Sequence, residues 1–154
     1  MRIRIRPAAF ALLLVAAALP ALARAGDAAN ASGIKVEVTG FRNDKGQLEC
    51  SLWPGPQGFP RDDSHILGHI WAKIQGKRGE CVFGGVPAGD YAVTLFHDEN
   101  GNGKFDSNFF GYPLEGYGFS NNAKAWFKAP SFDETKFHYD GNGWKQILVQ
   151  MIYR

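Results

Sequence analysis

Apolar and polar residues alternate one for one in several short stretches of this chain, and this pattern decides its fold class. The apolar members of the two clearest stretches are Ile34, Val36 and Val38 in the first, and Leu48, Cys50 and Leu52 in the second. Because successive side chains of a β-strand point to opposite faces, such alternation predicts strands with one buried face. About seven or eight short strands of this kind, separated by turn residues, predict an all-β protein built as an antiparallel β-sandwich.

The same parity puts Cys50 on the buried face of its strand and Glu49 and Ser51 on the other face. Residues 43–46, Asn-Asp-Lys-Gly, predict a hairpin-type turn between the first two strands. Further strands are predicted within residues 66–74, 123–128, 136–139 and 147–153.

The first 25 residues have the layout of a secretory signal peptide. Arginines are frequent in residues 1–6, residues 8–21 are almost wholly apolar, and small residues follow up to Ala25. A basic stretch, an apolar stretch and an A-x-A site are the parts of such a signal, and an apolar run of about 14 residues is too short to span a bilayer. We therefore expect cleavage after Ala25, a flexible lead-in over residues 26–32, and one domain over residues 33–154 that is exported to the periplasm or the exterior.

Removal of this segment changes the charge of the protein. The precursor has 17 Lys and Arg residues against 15 Asp and Glu residues, and residues 1–25 hold four arginines and no acid, so the net charge changes from +2 to about −2. This removes the electrostatic basis for a nucleic-acid partner. A second long apolar run is missing from the sequence, so we expect no membrane span in the mature chain.

The two cysteines, Cys50 and Cys81, both lie in the mature chain. In an oxidising compartment the simplest expectation is a disulfide bond between them, and a pair of buried free thiols is the alternative. Both positions face inward by parity, so a bridge would join either neighbouring strands or two sheets.

Residues 98–106, which we term the Asp98 loop, combine oxygen-bearing side chains with glycine in a spacing typical of cation-binding loops. Positions 1, 3, 5 and 9 of an EF-hand-type loop are occupied by Asp98, Asn100, Asn102 and Asp106, with glycine at position 6. Calcium prefers several oxygen ligands at once, and glycine permits the sharp turn that gathers them. The spacing predicts a calcium site that uses these side chains and the Lys104 carbonyl.

Two departures separate this loop from an EF-hand. Position 12 is Phe109 rather than a bidentate glutamate, and residues 91–96 before the loop predict a strand rather than a helix. With two carboxylates we expect weak binding, with a dissociation constant of about 0.1–1 mM. An Asn- and Gly-rich turn without a cation is the alternative, because the same residues favour such turns.

Residues 107–122, which we term the aromatic segment, are rich in glycine and aromatic residues. A long loop without regular structure is uncommon in a compact domain and is often functional, and aromatic faces with a few polar groups are typical of sites for sugars and other small ligands. The candidate ligand-binding residues are Tyr112, Glu115, Tyr117, Phe119, Ser120, Asn121 and Asn122, with Trp53, Trp126 and Trp144 as further stacking faces. Packing of the rings in the core or as a lid is the alternative, and Glu115 is a candidate for a distant calcium ligand or a site acid.

The sequence gives less support to an enzyme. His65 and His69 have the spacing of two zinc ligands on a helix, but Gly68 and the neighbouring isoleucines favour a strand, on which the two rings would lie about 13 Å apart. His97 beside Asp98 fits an acid–base pair, a partner of a metal ligand, or a simple hydrogen-bonded histidine. A metal-dependent hydrolase is therefore a third reading, with no catalytic residues assigned.

Two longer runs carry a family resemblance. Residues 97–104, His-Asp-Glu-Asn-Gly-Asn-Gly-Lys, and residues 117–122, Tyr-Gly-Phe-Ser-Asn-Asn, resemble the DUF2141 family of bacterial exported proteins, and the resemblance extends over nearly all of the mature chain. It implies a bacterial envelope or exported protein and no established activity. More distantly, the order of turn, strand and Asp-x-Asn-x-Asn-Gly is similar to calcium-bearing repeats of bacterial surface adhesins, which implies an immunoglobulin-like or transthyretin-like sandwich.

Together these features predict an exported, envelope-associated structural or binding module with a calcium-stabilised loop and no catalytic activity. A module that binds a glycan or small ligand through the aromatic segment is the alternative. The partner expected from either is an envelope glycan or a surface protein.

Overall fold

The computed structural model describes residues 32–125 and 128–154, and strands make up most of its regular structure. In this part of the chain the strands are β1 (Gly33–Thr39), β2 (Gln47–Trp53), β3 (Gly68–Ala72), β4 (Arg78–Gly84), β5 (Gly89–Asp98), β6 (Gly116–Phe119), β7 (Phe137–Tyr139) and β8 (Trp144–Gln150). They are accompanied by 3₁₀ helices at Asp63–His65 and Ser120–Asn122 and by α1 at Phe132–Thr135. The prediction of an all-β protein is confirmed. The predicted signal peptide and residues 26–31 of the predicted lead-in lie outside the described residues.

The strands form two sheets. One has the order β4-β1-β8, and the other has the order β3-β2-β5-β6, with β7 paired to the first residues of β5. β1 and β8 pair in parallel, whereas the other pairs of named strands are antiparallel. The prediction of a wholly antiparallel structure is therefore wrong at this pair. No tight turn joins β1 to β8, so nothing local forces them to run in opposite directions.

The connection from β1 to β2 crosses between the sheets. β1 pairs with β4 and β8, whereas β2 pairs with β3 and β5, so residues 43–46 do not form the predicted hairpin. Turn residues allow the chain to reverse but do not determine which strand it pairs with next. Asp44 in this crossing accepts backbone N–H groups of Gly76 at 2.8 Å and Lys77 at 2.7 Å, which ties the crossing to the turn before β4.

The two sheets share one hydrophobic core. Its fully buried members include Ile34, Val36 and Val38 of β1 and Leu48, Cys50 and Leu52 of β2, as the alternation predicts. A disulfide bond joins Cys50 on β2 to Cys81 on β4, with Cα atoms 6.5 Å apart. The predicted bridge is confirmed, and it connects the two sheets. An immunoglobulin-like or transthyretin-like type stays a prediction.

β6 lies inside the aromatic segment, which was expected to lack regular structure. A side chain at Gly118 would place its Cβ 2.9 Å from Leu95 and Val149 atoms, so glycine permits β6 to pack closely on the core. Beyond β8, Ile152 and Tyr117 exchange backbone hydrogen bonds of 3.0 and 2.8 Å. The end of the chain therefore crosses from the first sheet to the edge of the second.

The remaining predicted strands have mixed outcomes. Those within residues 66–74, 136–139 and 147–153 correspond to β3, β7 and β8. Residues 123–125, the described start of the stretch predicted over 123–128, are not in a strand. In the part of the chain that the structure describes, no helix is both long and apolar enough to cross a membrane.

A second, smaller apolar cluster lies beside the main core. Trp53 is fully buried there with Ala92 and Phe132, and Phe59 packs against them. The indole N–H of Trp53 donates to the Thr94 hydroxyl at 2.9 Å. Trp53 is therefore a core residue, and its prediction as a stacking face for a ligand is wrong.

Candidate functional site

Strand β5 delivers Asp98 to the start of the Asp98 loop. Asp98 is the last residue of β5 and is fully buried. Its Oδ1 accepts the N–H of Asn102 at 3.0 Å, and its Oδ2 accepts the N–H of Gly103 at 2.9 Å and Nε2 of Gln47 at 3.0 Å. Burial acts to raise the pKa of Asp98, but these donors outweigh it, so the pKa lies below its usual value. The loop thus folds around the charged carboxylate, which accepts its backbone N–H groups.

Three further side chains of the loop converge on one point. Nδ2 of Asn100 and Nδ2 of Asn102 both donate to Oδ2 of Asp106, at 2.7 and 2.9 Å. The amide oxygens of the two asparagines accept the backbone N–H groups of Asn102 at 3.0 Å and Lys104 at 2.8 Å. The structure therefore brings the side chains of Asn100, Asn102 and Asp106 together, and Asp98 is linked to them through the backbone N–H of Asn102, which Asn100 also accepts. Lys104 is held next to them through its backbone, and its side chain is exposed.

The donor set suits a hard cation and requires a small rearrangement. Rotation of an asparagine amide about its last side-chain bond exchanges nitrogen and oxygen, and this would turn the oxygens of Asn100 and Asn102 towards Asp106. The rotation gives up the bonds from the backbone N–H groups of Asn102 and Lys104, and bonds to a cation would have to offset that loss. Within residues 32–125 and 128–154, no three His, Cys, Asp or Glu side chains are grouped to hold a metal ion. A cation in this loop would therefore depend on amide and carbonyl oxygens as well as on its two carboxylates.

Glu115 fastens both ends of the Asp98 loop. It is buried, its Oε1 accepts the backbone N–H of Glu99 at 2.9 Å, and its Oε2 accepts that of Asp106 at 3.1 Å. Both carboxylate oxygens are thus engaged by the backbone of the loop. Glu115 therefore acts as an anchor for the loop, and its roles as a distant calcium ligand or a site acid stay predictions.

Glu99 connects the loop to the crossing between β1 and β2. Arg42 donates to both of its carboxylate oxygens, through Nε and through Nη2, the latter at 2.9 Å. The Arg42 guanidinium holds the pKa of Glu99 below its usual value. The same guanidinium lies over the Tyr153 ring, 4.8 Å from its centroid, so the last residues of the chain also join this end of the fold.

His97, which precedes Asp98, is fully buried and hydrogen-bonded on both sides. Its Nε2 lies 2.6 Å from the Lys45 carbonyl and its Nδ1 lies 2.7 Å from the Tyr153 hydroxyl. A carbonyl only accepts, so Nε2 carries a proton, and Nδ1 also lies 3.5 Å from Oε1 of Glu99. Of the three readings taken from the sequence, this arrangement is the hydrogen-bonded structural histidine.

A cavity of about 990 Å³ lies over the outer face of the β3-β2-β5-β6 sheet, and we term it the outer-face cavity. Its floor consists of two rows of side chains that run across the four strands. In the order β3, β2, β5 and β6, the first row is Trp71, Glu49, Phe96 and Tyr117, and the second is His69, Ser51, Thr94 and Phe119. Residues 103–105 and 110–113 and residues near the first 3₁₀ helix also line the cavity.

Three of the predicted ligand-binding residues, Tyr112, Tyr117 and Phe119, line this cavity. Of the two other tryptophans considered, Trp144 lies on β8 in the other sheet, with Nζ of Lys35 4.9 Å from its ring centroid. Trp126 lies outside the described residues.

The polar residues at the end of the aromatic segment bond within the fold. Ser120 is fully buried, and its hydroxyl accepts the Val93 N–H at 2.9 Å and donates to the Thr135 carbonyl at 2.6 Å. The side chains of Asn121 and Asn122 bond to the backbone of Lys136 at 2.9 Å and of Gln150 at 2.8 Å. These three predicted ligand-binding residues therefore stabilise the region after β6.

Residues 108–112, at the tip of the aromatic segment, form an exposed turn that the Asn108 side chain stabilises. Oδ1 of Asn108 accepts the backbone N–H groups of Phe110 and Tyr112, both at 3.0 Å. The rings of Phe109 and Phe110 lie edge to face, 5.5 Å apart, and are 97% and 80% exposed. The turn thus holds two large apolar rings in solvent beside the cavity.

Residues 36–147 match the model of a family described as an uncharacterized protein conserved in bacteria, DUF2141. The chain belongs to the DUF2141 family. The match begins within β1, ends within β8 and includes both the Asp98 loop and the cavity floor, so the resemblance seen in the sequence is confirmed. No curated protein and no solved structure matches the chain.

Two floor residues of this DUF2141 chain, Glu49 and Ser51, were not among the predicted site residues. They lie on the face of β2 opposite the core, yet only 6% and 5% of their surfaces are exposed, and Ser51 donates its hydroxyl to Glu49. Burial raises the pKa of Glu49 to about 7, the charge of Asp63 adds to this, and the hydrogen bond from Ser51 acts against it. The sequence feature that could have indicated this polar site is a strand with polar residues on one face. Aromatic residues, Trp71 and Phe96, lie on the strands that flank it.

Proposed function

We propose that this protein is an exported, non-catalytic binding module that takes a small organic ligand into the outer-face cavity, with calcium bound in the Asp98 loop beside it. The observation that carries the proposal is the cavity, whose volume of about 990 Å³ lies in the range of small-molecule sites. Its lining combines aromatic rings with a few polar groups, which is the usual character of such sites.

The composition of the cavity floor favours a ligand over plain solvent exposure. The outer face of an antiparallel sheet is commonly polar where it faces water. Here Trp71, Phe96, Tyr117 and Phe119 occupy half of the two rows. Residues 103–105 and 110–113 also line the space over this floor, and that space could hold a ligand.

Calcium is proposed for the Asp98 loop because its side chains reach a common point. The hydrogen bonds from Asn100 and Asn102 to Asp106 support this, since ligands of one cation must converge. Asp98 and Asp106 would supply the negative charge, and the two amides and the Lys104 carbonyl would supply neutral oxygens.

The Asp98 loop is also part of the cavity wall. Phe105 lines the cavity, and its ring lies 5.7 Å from Phe96 and 6.1 Å from Tyr117 between centroids. A cation that orders the loop would hold Phe105 against the floor. Calcium and the cavity ligand should therefore each strengthen the binding of the other.

Export to the bacterial envelope is proposed from the signal-peptide pattern, and the Cys50–Cys81 disulfide supports it, because such bonds persist in oxidising compartments. An envelope glycan is one ligand of suitable chemistry, since sugars stack on aromatic faces such as those of Tyr112, Tyr117 and Phe119. A surface protein is the second candidate partner, and the exposed rings of Phe109 and Phe110 favour it.

Small-molecule binding to residues 26–154 tests the cavity proposal. Indole and phenol are neutral aromatic probes and chitotetraose is a glycan probe, with NMR chemical shifts as the readout. We expect at least one probe to cause saturable shifts at cavity-lining residues, and Ser51→Phe, which fills the floor, to abolish them. Leu148→Phe, exposed on the other sheet, is the control and should bind as the wild type does. Absence of shifts with every probe would contradict the proposal.

Thermal unfolding with calcium and with a chelator tests the loop. At tenfold excess over the dissociation constant, calcium should stabilise the folded form by about 1.4 kcal/mol and raise the melting temperature reversibly. Asp98→Ala should abolish this difference, whereas Asp133→Ala, at an exposed carboxylate on α1, should retain it. A full calcium response in Asp98→Ala would remove Asp98 from the coordination shell.

A further inference from the structure

The floor of the outer-face cavity contains a buried acid between aromatic rings. Glu49 on β2 lies in register with Trp71 on β3 and Phe96 on β5. The strands β3 and β5 flank β2 and are about 10 Å apart, yet the centroids of these two rings are 5.8 Å apart. The rings therefore lean towards each other across β2 and shield Glu49, whose remaining exposed surface lines the cavity.

The Glu49 carboxyl group keeps one oxygen available. Ser51 donates to Oε1. No donor to Oε2 is found among the described residues, where no fully buried side-chain oxygen or nitrogen lacks a hydrogen-bond partner. Oε2 therefore keeps some exposed surface, and Glu49 lines the cavity. A ligand group at the floor would meet this oxygen.

A positive charge is the group that this floor accommodates best. Burial raises the pKa of Glu49 to about 7, and Asp63 adds to that effect. Among the described residues, no basic side chain is seen to act on Glu49, so no counter-charge from them stabilises its ionised form. A cation would neutralise it, and aromatic rings attract cations to their faces. A ligand acid would place a second negative charge beside the first.

The basic residues on the lining lie at more exposed positions. Arg61, Lys104, Lys128 and Arg154 are exposed and line the cavity. Charges at such positions act through water and are screened by salt, whereas Glu49 lies in a medium of lower dielectric constant. The charge of Glu49 at the floor therefore favours a positively charged ligand group there. The four exposed basic residues, which we term the mouth of the cavity, suit a polar or anionic group at the other end of the ligand.

We propose that the ligand of this cavity is a small molecule with an ammonium group on an apolar or aromatic body, and that Glu49 binds the ammonium group at the floor. This inference rests on the proposed function, because it requires the outer-face cavity to be a ligand site. Ser51 holds Oε1 of Glu49, and Oε2 accepts from the ammonium group. Trp71, Phe96 and Tyr117 contact the body of the ligand.

Three indoles that differ in charge test the proposal: tryptamine, indole and indole-3-acetate. At pH 8, calorimetric titration of residues 26–154 should show tryptamine binding at least about tenfold more tightly than indole, and indole-3-acetate more weakly than indole. In Glu49→Gln the advantage of tryptamine should fall to about threefold or less. Glu80→Gln, at an exposed position of β4, is the control and should retain the advantage.

The pH dependence of binding to the wild type tests the role of Glu49 without relying on Glu49→Gln. Between pH 6 and pH 8 Glu49 loses its proton while tryptamine stays cationic, so the advantage of tryptamine over indole should grow. The other titratable groups on the lining are Asp63, His69, Tyr112 and Tyr117, beside the four basic residues of the mouth. Since a histidine can also exchange a proton near neutral pH, His69→Gln is the control and should preserve the pH dependence.

The outcomes separate this inference from the proposed function. If indole binds in the cavity but tryptamine gains nothing, or if Glu49→Gln keeps the gain, the assignment to Glu49 is wrong and the cavity remains a ligand site. If indole-3-acetate binds most tightly, the basic mouth determines the ligand and the inference is wrong. If none of the three binds, the inference is overturned, and the proposed function falls with it when phenol and chitotetraose also cause no shifts.

Discussion

The disulfide bond between Cys50 and Cys81 joins an interior strand of one sheet to an edge strand of the other. Cys50 lies on β2, between β3 and β5, and Cys81 lies on β4 at the edge of the β4-β1-β8 sheet. Both residues are fully buried, so the bridge passes through the core. The two cysteines are 31 residues apart in sequence, and a link at this spacing restricts the unfolded chain.

Loss of this bridge should lower the free energy of unfolding by about 3–4 kcal/mol. The double variant Cys50→Ala/Cys81→Ala, compared with the wild type by urea denaturation, measures the change. A reductant should destabilise the wild type by a similar amount and leave the double variant unchanged. Equal stability of oxidised and fully reduced wild type would contradict the prediction.

Ser120→Ala should lower the free energy of unfolding by about 2–3 kcal/mol, because it leaves the buried Val93 N–H and Thr135 carbonyl without their partner. Ser107→Ala, at an exposed position of the same segment, should change it by less than about 0.5 kcal/mol. Urea denaturation of the two variants gives the comparison. A loss as small as that of Ser107→Ala would mean that the buried hydroxyl contributes nothing.

Gly46 lies directly against the backbone at the start of the Asp98 loop. Its φ is +66°, and a Cβ there would lie 1.8 Å from the Asp98 carbonyl oxygen. We expect Gly46→Ala to lower the free energy of unfolding by more than about 2 kcal/mol, because the left-handed backbone and the contact both oppose a side chain. Gly55→Ala, which would meet no atom within 4 Å, is the control. Equal melting temperatures of the two variants would contradict this.

The stability of the protein should depend on pH through Glu49. Its pKa is raised from 4.5 to about 7, so between these values the folded state keeps a proton that the unfolded state has lost. The free energy of unfolding therefore falls as pH rises through this window, by up to about 3 kcal/mol from this group, and levels off above it. The lowered pKa values of Asp98 and Glu99 act at lower pH.

Glu49→Gln should lack this decline. The difference in free energy of unfolding between wild type and variant, measured by urea denaturation from pH 4.5 to pH 8, isolates the contribution of Glu49. A difference that stays constant over the whole window would show that the carboxyl group does not titrate abnormally.

The core could be predicted from the sequence because its signal is local. Alternation in β1 and β2 depends only on those strands, and it placed Val36 and Cys50 correctly. The burial of Glu49 has no signal within β2 itself, since the rings that shield it, Trp71 and Phe96, belong to strands whose pairing with β2 the alternation does not reveal. The pairing of β1 with β8 likewise depends on packing between the two ends of the domain.

The candidate site also has parts that the sequence predicts and parts that depend on how distant strands pack. The spacing of the oxygen-bearing residues in the Asp98 loop is a property of one short stretch, and the side chains of Asn100, Asn102 and Asp106 do meet. The anchoring role of Glu115 depends on the position of β6 relative to β5, which no short pattern reveals. Polar residues such as Ser120 look the same in sequence whether they bond to a ligand or to the backbone.

The direction of β1 determines which end of the domain faces a tether attached ahead of Gly33. β1 begins at Gly33, whose N–H bonds to the Gly143 carbonyl at 2.9 Å, and it runs towards Arg42, which pairs with Glu99. The start of β1 and the Asp98 loop therefore lie about 20 Å apart, at opposite ends of the strand. A protein immobilised through the residues ahead of Gly33, on a biosensor chip or as a fusion, would point this loop away from its attachment.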